Sequence, residues 1–238
     1  MLAIGLSYNK MKSIIYEDNN IIICHKPAGM LVQSERSFDV DLESALKTYL
    51  FEKKEVPKVH VINRLDRPVS GLVLFAKNKD YAAKLSREMQ NKGICKEYYA
   101  VVCGSMRENK GILQNYLIKD AKTNTSKITN SSDTGAKEAK LEYEAVATKK
   151  VVENGEELEV TLVRIHLITG RHHQIRVQFA GIGNPLLGDT KYNPRYAGKK
   201  GWQNIALCSY HLEFLGKNFQ IKPSGDGFAY FEKELETI

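Results

Sequence analysis

Apolar and polar positions along the chain switch between two periods. Residues 14–16 and 21–23 are apolar runs around the polar Glu17-Asp18-Asn19-Asn20, the pattern of two strands joined by a tight turn. Lys26-Pro27-Ala28-Gly29 reads as another turn. Over residues 41–51, Leu42, Ala45, Leu46, Tyr49 and Leu50 recur at helical spacing. Residues 59–62 and 71–76 read as strands, the second apolar enough to be buried on both faces. Asn78 is placed to cap a helix whose Tyr81, Leu85 and Met89 line one face and which Gly93 ends. Residues 98–102 read as a strand. Residues 119–140 are polar and predict a mobile loop or a long hairpin tip. Alternation over 158–167 predicts a half-buried strand. After the turn Thr169-Gly170-Arg171, residues 172–180 predict a helix with Ile175 and Phe179 on one face and His172 and Arg176 on another. Residues 206–214 and 228–231 predict late strands. Strands and helices do not alternate regularly. That predicts an α+β fold with a mixed, largely antiparallel central sheet and flanking helices and loops.

Composition narrows the classes. The 238 residues, 42% hydrophobic and 26% charged, are ordinary for a globular protein and exclude collagen-like or fully disordered chains. No internal repeat or long linker appears. No apolar run approaches the roughly 20 residues of a membrane span, and the apolar stretch at residues 2–6 is too short for a signal peptide. A cytoplasmic location is expected. Cys24, Cys95, Cys103 and Cys208 form no C-x-x-C pair, so reduced thiols are expected and a zinc or redox motif is not. The net charge of +7 lies mainly in the middle of the chain: residues 51–100 carry 11 basic and 6 acidic side chains. A polyanion partner is one expectation from that charge, because basic groups near phosphates release condensed counterions, although charge alone does not establish it.

Three segments carry candidate chemistry. Asn63-Arg64-Leu65-Asp66-Arg67-Pro68-Val69-Ser70 is a charged segment wedged between two apolar strands. It sets two guanidinium groups beside one carboxylate, a setting that favours the anion. The plainer reading is a surface ion pair at a strand end. Thr169-Gly170-Arg171-His172-His173-Gln174-Ile175-Arg176 invites a metal reading. Neighbouring helical positions point about 100° apart, however, and no carboxylate stands at ligand spacing. A phosphate-contacting helix start fits better, with Arg171 and Arg176 as fork donors. In Lys96-Glu97-Tyr98-Tyr99, one tyrosine is expected to face the core and the other the opposite side of the strand. A tyrosine there either stacks on a base or is core.

These segments resemble a known family. Asn63 to Gly71 is similar to the catalytic His-Arg-Leu-Asp-x-x-Thr-Ser-Gly motif of the RluA-type pseudouridine synthases. Tyr16-Glu17-Asp18 through Lys26-Pro27-Ala28-Gly29 resembles their N-terminal motif. Lys96-Glu97-Tyr98-Tyr99-Ala100 resembles their Lys-x-Tyr-x-Ala segment. Thr169 to Arg176, continuing through Gly183-Asn184-Pro185 to Gly188-Asp189, resembles their signature helix and the loop after it. All four occur in the family's order, over about residues 14–215. The resemblance implies the pseudouridine synthase catalytic fold. It implies Asp66 as catalytic aspartate, Tyr98 as the tyrosine stacking on the target base, and Arg176 as the arginine pairing with that aspartate. Arg64 would displace the target nucleotide, and Leu207 would wall the uracil pocket. Arg67, Arg171 and His173 are expected to contact the substrate as well. Asn63 stands for the usual His, Val69 for Thr, His172 for a common Thr or Ser, and Cys208-Ser209 for a common His-Ala. The larger members carry an S4-type RNA-binding domain. Here residues 1–13 are expected to be a short extension and 14–238 the catalytic domain, without an S4 domain.

The implied reaction converts uridine in structured RNA, ribosomal or transfer, to pseudouridine. The N1–C1′ bond breaks, the uracil turns, and C5 joins C1′. The base must leave its stack first. Asp66 would attack C1′ or take a proton from C2′. Nothing is oxidised, transferred or hydrolysed, so no cofactor and no metal are expected, and a monomer without membrane contact suffices. Two other readings stay open: a catalytically silent RNA-binding or ribosome-assembly factor on the same fold, and a hydrolase using Asp66 and a histidine.

Overall fold

The computed structural model describes residues 13–34, 41–153, 155–199 and 204–236. The apolar stretch at 2–6 and nearly all of the expected 1–13 extension lie outside the described residues. The chain divides into two compact units, Met1–Ile94 with Glu213–Ile221 and Cys95–Leu212 with Lys222–Ile238.

In the first unit, β1 (Ile14–Glu17) and β2 (Ile21–Lys26) form an antiparallel pair. The Asp18 carboxylate shapes the turn between them by accepting the Asn20 and Ile21 N–H groups at 2.7 and 2.8 Å. Helix α1 (Leu42–Glu52) is capped by Asp41, whose side chain accepts the Ser44 N–H. Strand β3 (His60–Val61) and β2 both pair antiparallel with β4 (Ser70–Ala76). Gly71, at φ 132°, allows the tight entry into β4 that a Cβ would resist. Helix α2 (Lys79–Gln90) is capped by Asn78 as predicted. Gly93 does not end it in the left-handed conformation. Lys92 takes that role, at φ 59°.

The second unit holds β5 (Ile94–Cys103), β6 (Lys110–Asp120), β7 (Thr125–Thr129), β8 (Lys137–Glu153) and β9 (Glu156–Leu167). Helix α3 (Gln174–Gly181), β10 (Leu207–Phe214) and a one-turn helix α4 (Asp226–Ala229) complete it. The strand order is β10-β5-β9-β8-β6-β7, and the ladders from β5 through β7 are antiparallel. Segment 119–140 is therefore the end of β6, all of β7 and the start of β8. Its strands are largely exposed, so they lack the apolar alternation that would announce them. Residues 228–231 are a correction: they begin in α4 and continue as turn, not strand. Phe228 and Phe231 are three residues apart, so a helical turn buries both together. A further strand, β11 (Lys217–Gln220), lies in the first unit, where Phe219 packs on Tyr16 at 5.1 Å between ring centres. No helix among the described residues is long and apolar enough to cross a membrane.

Candidate active site

The first unit positions Arg64, Asp66 and Arg67 in the segment between β3 and β4. Asn63 is buried and docks this segment on β4: its Oδ1 accepts the Leu74 N–H at 2.7 Å and its Nδ2 donates to the Leu72 carbonyl at 3.2 Å. The amide offers one donor and one acceptor to one strand, so the departure from His has a structural use. Leu65 and Val69 are buried anchors on either side of Asp66. The Val69 N–H donates to the Asp66 carbonyl at 3.0 Å, closing a turn.

That turn is fastened to the Lys26-Pro27-Ala28-Gly29 segment. The Gly29 N–H donates to the Arg67 carbonyl at 2.8 Å, and Arg67 Nε donates to the Gly29 carbonyl at 3.0 Å. Lys26 is 0% exposed. Its ammonium donates to the carbonyls of Pro27, Met30 and Arg67 at 3.1, 2.8 and 3.2 Å. Burial pushes the Lys26 pKa down to about 8, and the Asp66 charge opposes that shift. Asp66 is half-buried, while Arg64 and Arg67 are exposed. The Asp66 carboxylate thus stands on a turn held by main-chain carbonyls and N–H groups.

The second unit positions Tyr98, Arg171, His173, Arg176 and Leu207. Tyr98 lies on β5 and is 5% exposed, and Leu207 is buried at the start of β10. Tyr99, the next residue along the strand and so on its opposite side, is also buried, against Tyr210 at 4.5 Å. Both faces of β5 are covered here.

Helix α3 departs from prediction in two ways. It starts at Gln174, because His173, at the N-cap position, is left-handed at φ 53°. It is also buried on every side from Gln174 to Phe179, so its polar residues Gln174, Arg176 and Gln178 face protein rather than solvent. Arg176 is 3% exposed and makes a bidentate pair with Asp189, which is 0% exposed, through Nε at 2.8 Å and an η nitrogen at 2.7 Å. Asp189 also accepts the Lys191 and Tyr192 N–H groups, and the Tyr192 ring lies 5.2 Å from the guanidinium. Arg176 is therefore not an exposed phosphate fork. Arg171 is exposed and donates to the Glu138 carbonyl at 2.8 Å.

Asp189 is the residue that the spacing arguments missed. A signal was present: it is the lone acidic residue between Glu159 and Glu213. A single carboxylate in so basic a stretch is a natural partner for a buried arginine. Gly188, at φ 80°, allows the approach to Asp189, since a Cβ there would run into the Asn204 carbonyl.

The two histidines are stacked at 3.8 Å, an arrangement the left-handed His173 permits and a regular helix would not. His172 Nδ1 lies 2.9 Å from Ser126 Oγ, and His173 Nδ1 lies 2.8 Å from the Tyr192 hydroxyl. Neither belongs to a three-ligand group among the described residues. Burial first, then the charges of Arg176, His172 and Lys191, drive the His173 pKa far down, to about 2. Below pH ~6.5 the unfolded chain binds this proton and the folded chain refuses it. Stability from this group is therefore lost progressively as pH falls below that value toward about 2, with a slope near 1.4 kcal/mol per pH unit. His173→Asn keeps a residue that tolerates the left-handed region. Denaturant unfolding at stepped pH should show a shallower acid limb in that variant, and an unchanged limb would refute the buried neutral imidazole.

Residues 20–181 match the sequence profile described as RNA pseudouridylate synthase. The chain belongs to the RNA pseudouridylate synthase family. A dual-specificity RNA pseudouridine synthase, RluA, from Vibrio cholerae is 34% identical over 202 residues, covering 83% of this chain and 77% of the relative. A ribosomal large subunit pseudouridine synthase C from Rickettsia conorii is 34% identical over 179 residues. That match covers 75% of this chain but 55% of the relative, so this pseudouridylate synthase chain spans about half of that protein. The fold is that of human RNA pseudouridylate synthase domain containing 4, with a TM-score of 0.77 at 20% identity over 99% of this chain and 98% of the human one. The expected α+β fold and the expected family are thus both found.

Proposed function

We propose that this chain isomerises specific uridines in structured RNA, ribosomal or transfer, to pseudouridine. The reading rests most on the Asn63–Gly71 segment, where an aspartate sits on a turn fastened by Lys26 and Gly29, inside the stretch that matches the family profile. Residues 14–238 act as the catalytic domain, a cytoplasmic monomer working on RNA.

Asp66 is the catalytic carboxylate and acts on C1′ or C2′ of the target nucleotide. The N1–C1′ bond then breaks, the uracil turns, and C5 bonds to C1′. C5 gives up its proton and N1 gains one, so atoms and electrons balance with no cofactor or metal in the step. Tyr98 holds the detached base by stacking, worth roughly 1–3 kcal/mol. Arg176 serves the same reaction, with its guanidinium plane fixed by Asp189. Arg64 enters the gap left by the extruded nucleotide. Arg67, Arg171 and His173 contact the substrate, and Leu207 walls the uracil.

Mapping pseudouridines in total RNA from cells with and without this gene tests the reading. The expected result is loss of one or a few modified positions, and an unchanged map overturns it. RNA affinity should also fall by about 10²-fold or more between roughly 50 and 200 mM salt, because the basic residues displace counterions. Fluorescence anisotropy at stepped salt measures this, and a flat profile would remove the polyanion reading of the basic residues.

A further inference from the structure

Three metal-ligating side chains meet on the face of β5 turned away from Tyr98. Side chains alternate along a strand, so Cys95 and Glu97 share one face and Lys96 and Tyr98 the other. His166 of β9 is the direct cross-strand partner of Glu97, which puts its ring on the Cys95 side. Cys95 Sγ lies 3.6 Å from His166 Nδ1. The ligand atoms of Cys95, Glu97 and His166 all lie within 4.8 Å of one another, and each residue is half-buried. Ligand spacing along the chain does not reveal this group, since His166 lies about 70 residues from Cys95 and Glu97 and only strand pairing brings it to them.

The surroundings suit a cation. Glu97 and His166 border an open groove of about 420 Å³, which Glu142 and Glu144 also line. Glu97 is already oriented, as a metal-binding carboxylate is by its outer partners. The Tyr210 hydroxyl donates to its Oε2 at 2.6 Å, and His211 Nδ1 lies 3.8 Å from the same oxygen. Arg164 opposes a cation, with an η nitrogen 3.6 Å from Glu97 Oε1. That contact is long and the Arg164 side chain is 48% exposed, so the guanidinium can withdraw into solvent.

We propose that Cys95, Glu97 and His166 bind zinc, with a groove water in the fourth position. Thiolate, imidazole and carboxylate together select a borderline-soft divalent ion over calcium or magnesium. Tetrahedral bonds of about 2.0–2.3 Å bring ligand atoms closer than the present spread, and half-buried side chains can rotate to close it. The ion takes no part in the proposed isomerisation. It ties β5 to β9 behind the strand that carries Tyr98 and stabilises the fold by mass action.

The test uses the full chain, stripped with chelator and titrated with zinc, with cobalt as the spectroscopic probe. One ion should bind per chain, the melting temperature should rise with zinc, and cobalt should give a thiolate-to-metal charge-transfer band. Cys95→Ser should abolish that band, and His166→Gln should weaken zinc binding by more than about tenfold. Cys103→Ser should leave both unchanged. Circular dichroism in chelator checks that each variant folds. If Cys95→Ser does not fold, His166→Gln decides alone. Absence of binding, or full binding retained in a folded Cys95 or His166 variant, overturns the assignment.

Discussion

Asp66→Asn should abolish pseudouridine formation while RNA affinity stays close to that of the parent. The amide matches the carboxylate in shape but can neither attack C1′ nor accept a proton from C2′ with comparable strength. Loss of a positioned acid–base group alone costs roughly 10²–10⁴-fold in rate, and loss of a nucleophile costs at least as much. The turn itself should persist, although the buried Lys26 ammonium loses the opposing charge of Asp66. The turn at Asp66 is closed by a main-chain bond from Val69, and it is fastened through the Arg67 carbonyl to Gly29 and Lys26. None of these bonds uses the Asp66 carboxylate. Single-turnover release of tritium from C5-labelled uridine in RNA measures the rate, and anisotropy measures binding. Substantial turnover by the variant would refute the role given to Asp66. Equal behaviour of parent and variant in every assay would favour the silent RNA-binding reading.

Asp189→Ala should be among the most destabilising single substitutions in the chain. It leaves the Arg176 guanidinium, 3% exposed, without the carboxylate that takes two of its donors. It also removes the acceptor of the Lys191 and Tyr192 N–H groups. Breaking a buried ion pair from one side costs about 3–5 kcal/mol, which for a chain of this size lowers the melting temperature by on the order of 10 °C. The double variant Arg176→Met, Asp189→Leu removes both charges together and should recover part of the loss. It should not recover all of it, because the two backbone donors stay unmatched. Calorimetry on the three proteins separates these outcomes. A single variant within about 1 kcal/mol of the parent would mean that solvent reaches the guanidinium and that the pair is not buried in the working protein.

Much of the local structure is readable in the residues themselves. The turn at Asp18, the caps at Asp41 and Asn78 and the doubly buried β4 follow from side-chain chemistry that acts over three or four positions. Segment 119–140 was less readable, because exposed strands carry no apolar stripe. Residues 228–231 misled for the opposite reason: a short apolar run fits a strand or a helical turn equally well. The candidate site divides the same way. Asp66 is conspicuous as a carboxylate between apolar strands. The Lys26 ammonium that fastens its turn is not, because its partners are carbonyls that any residue carries.

The sequence by itself determined the three longer helices and the strands with apolar faces, the family, and the carboxylate, tyrosine and arginine offered for chemistry, because local periodicity and short motifs are carried by neighbours along the chain; the exposed strands β6, β7, β8 and β11 carry no such signal. The tertiary structure alone decided that α3 is buried all round, that Arg176 is matched by Asp189, that His173 leaves the helix, and that Cys95 meets His166. Those facts depend on which distant groups share a desolvated space, and burial makes a charge seek a partner wherever the fold brings one.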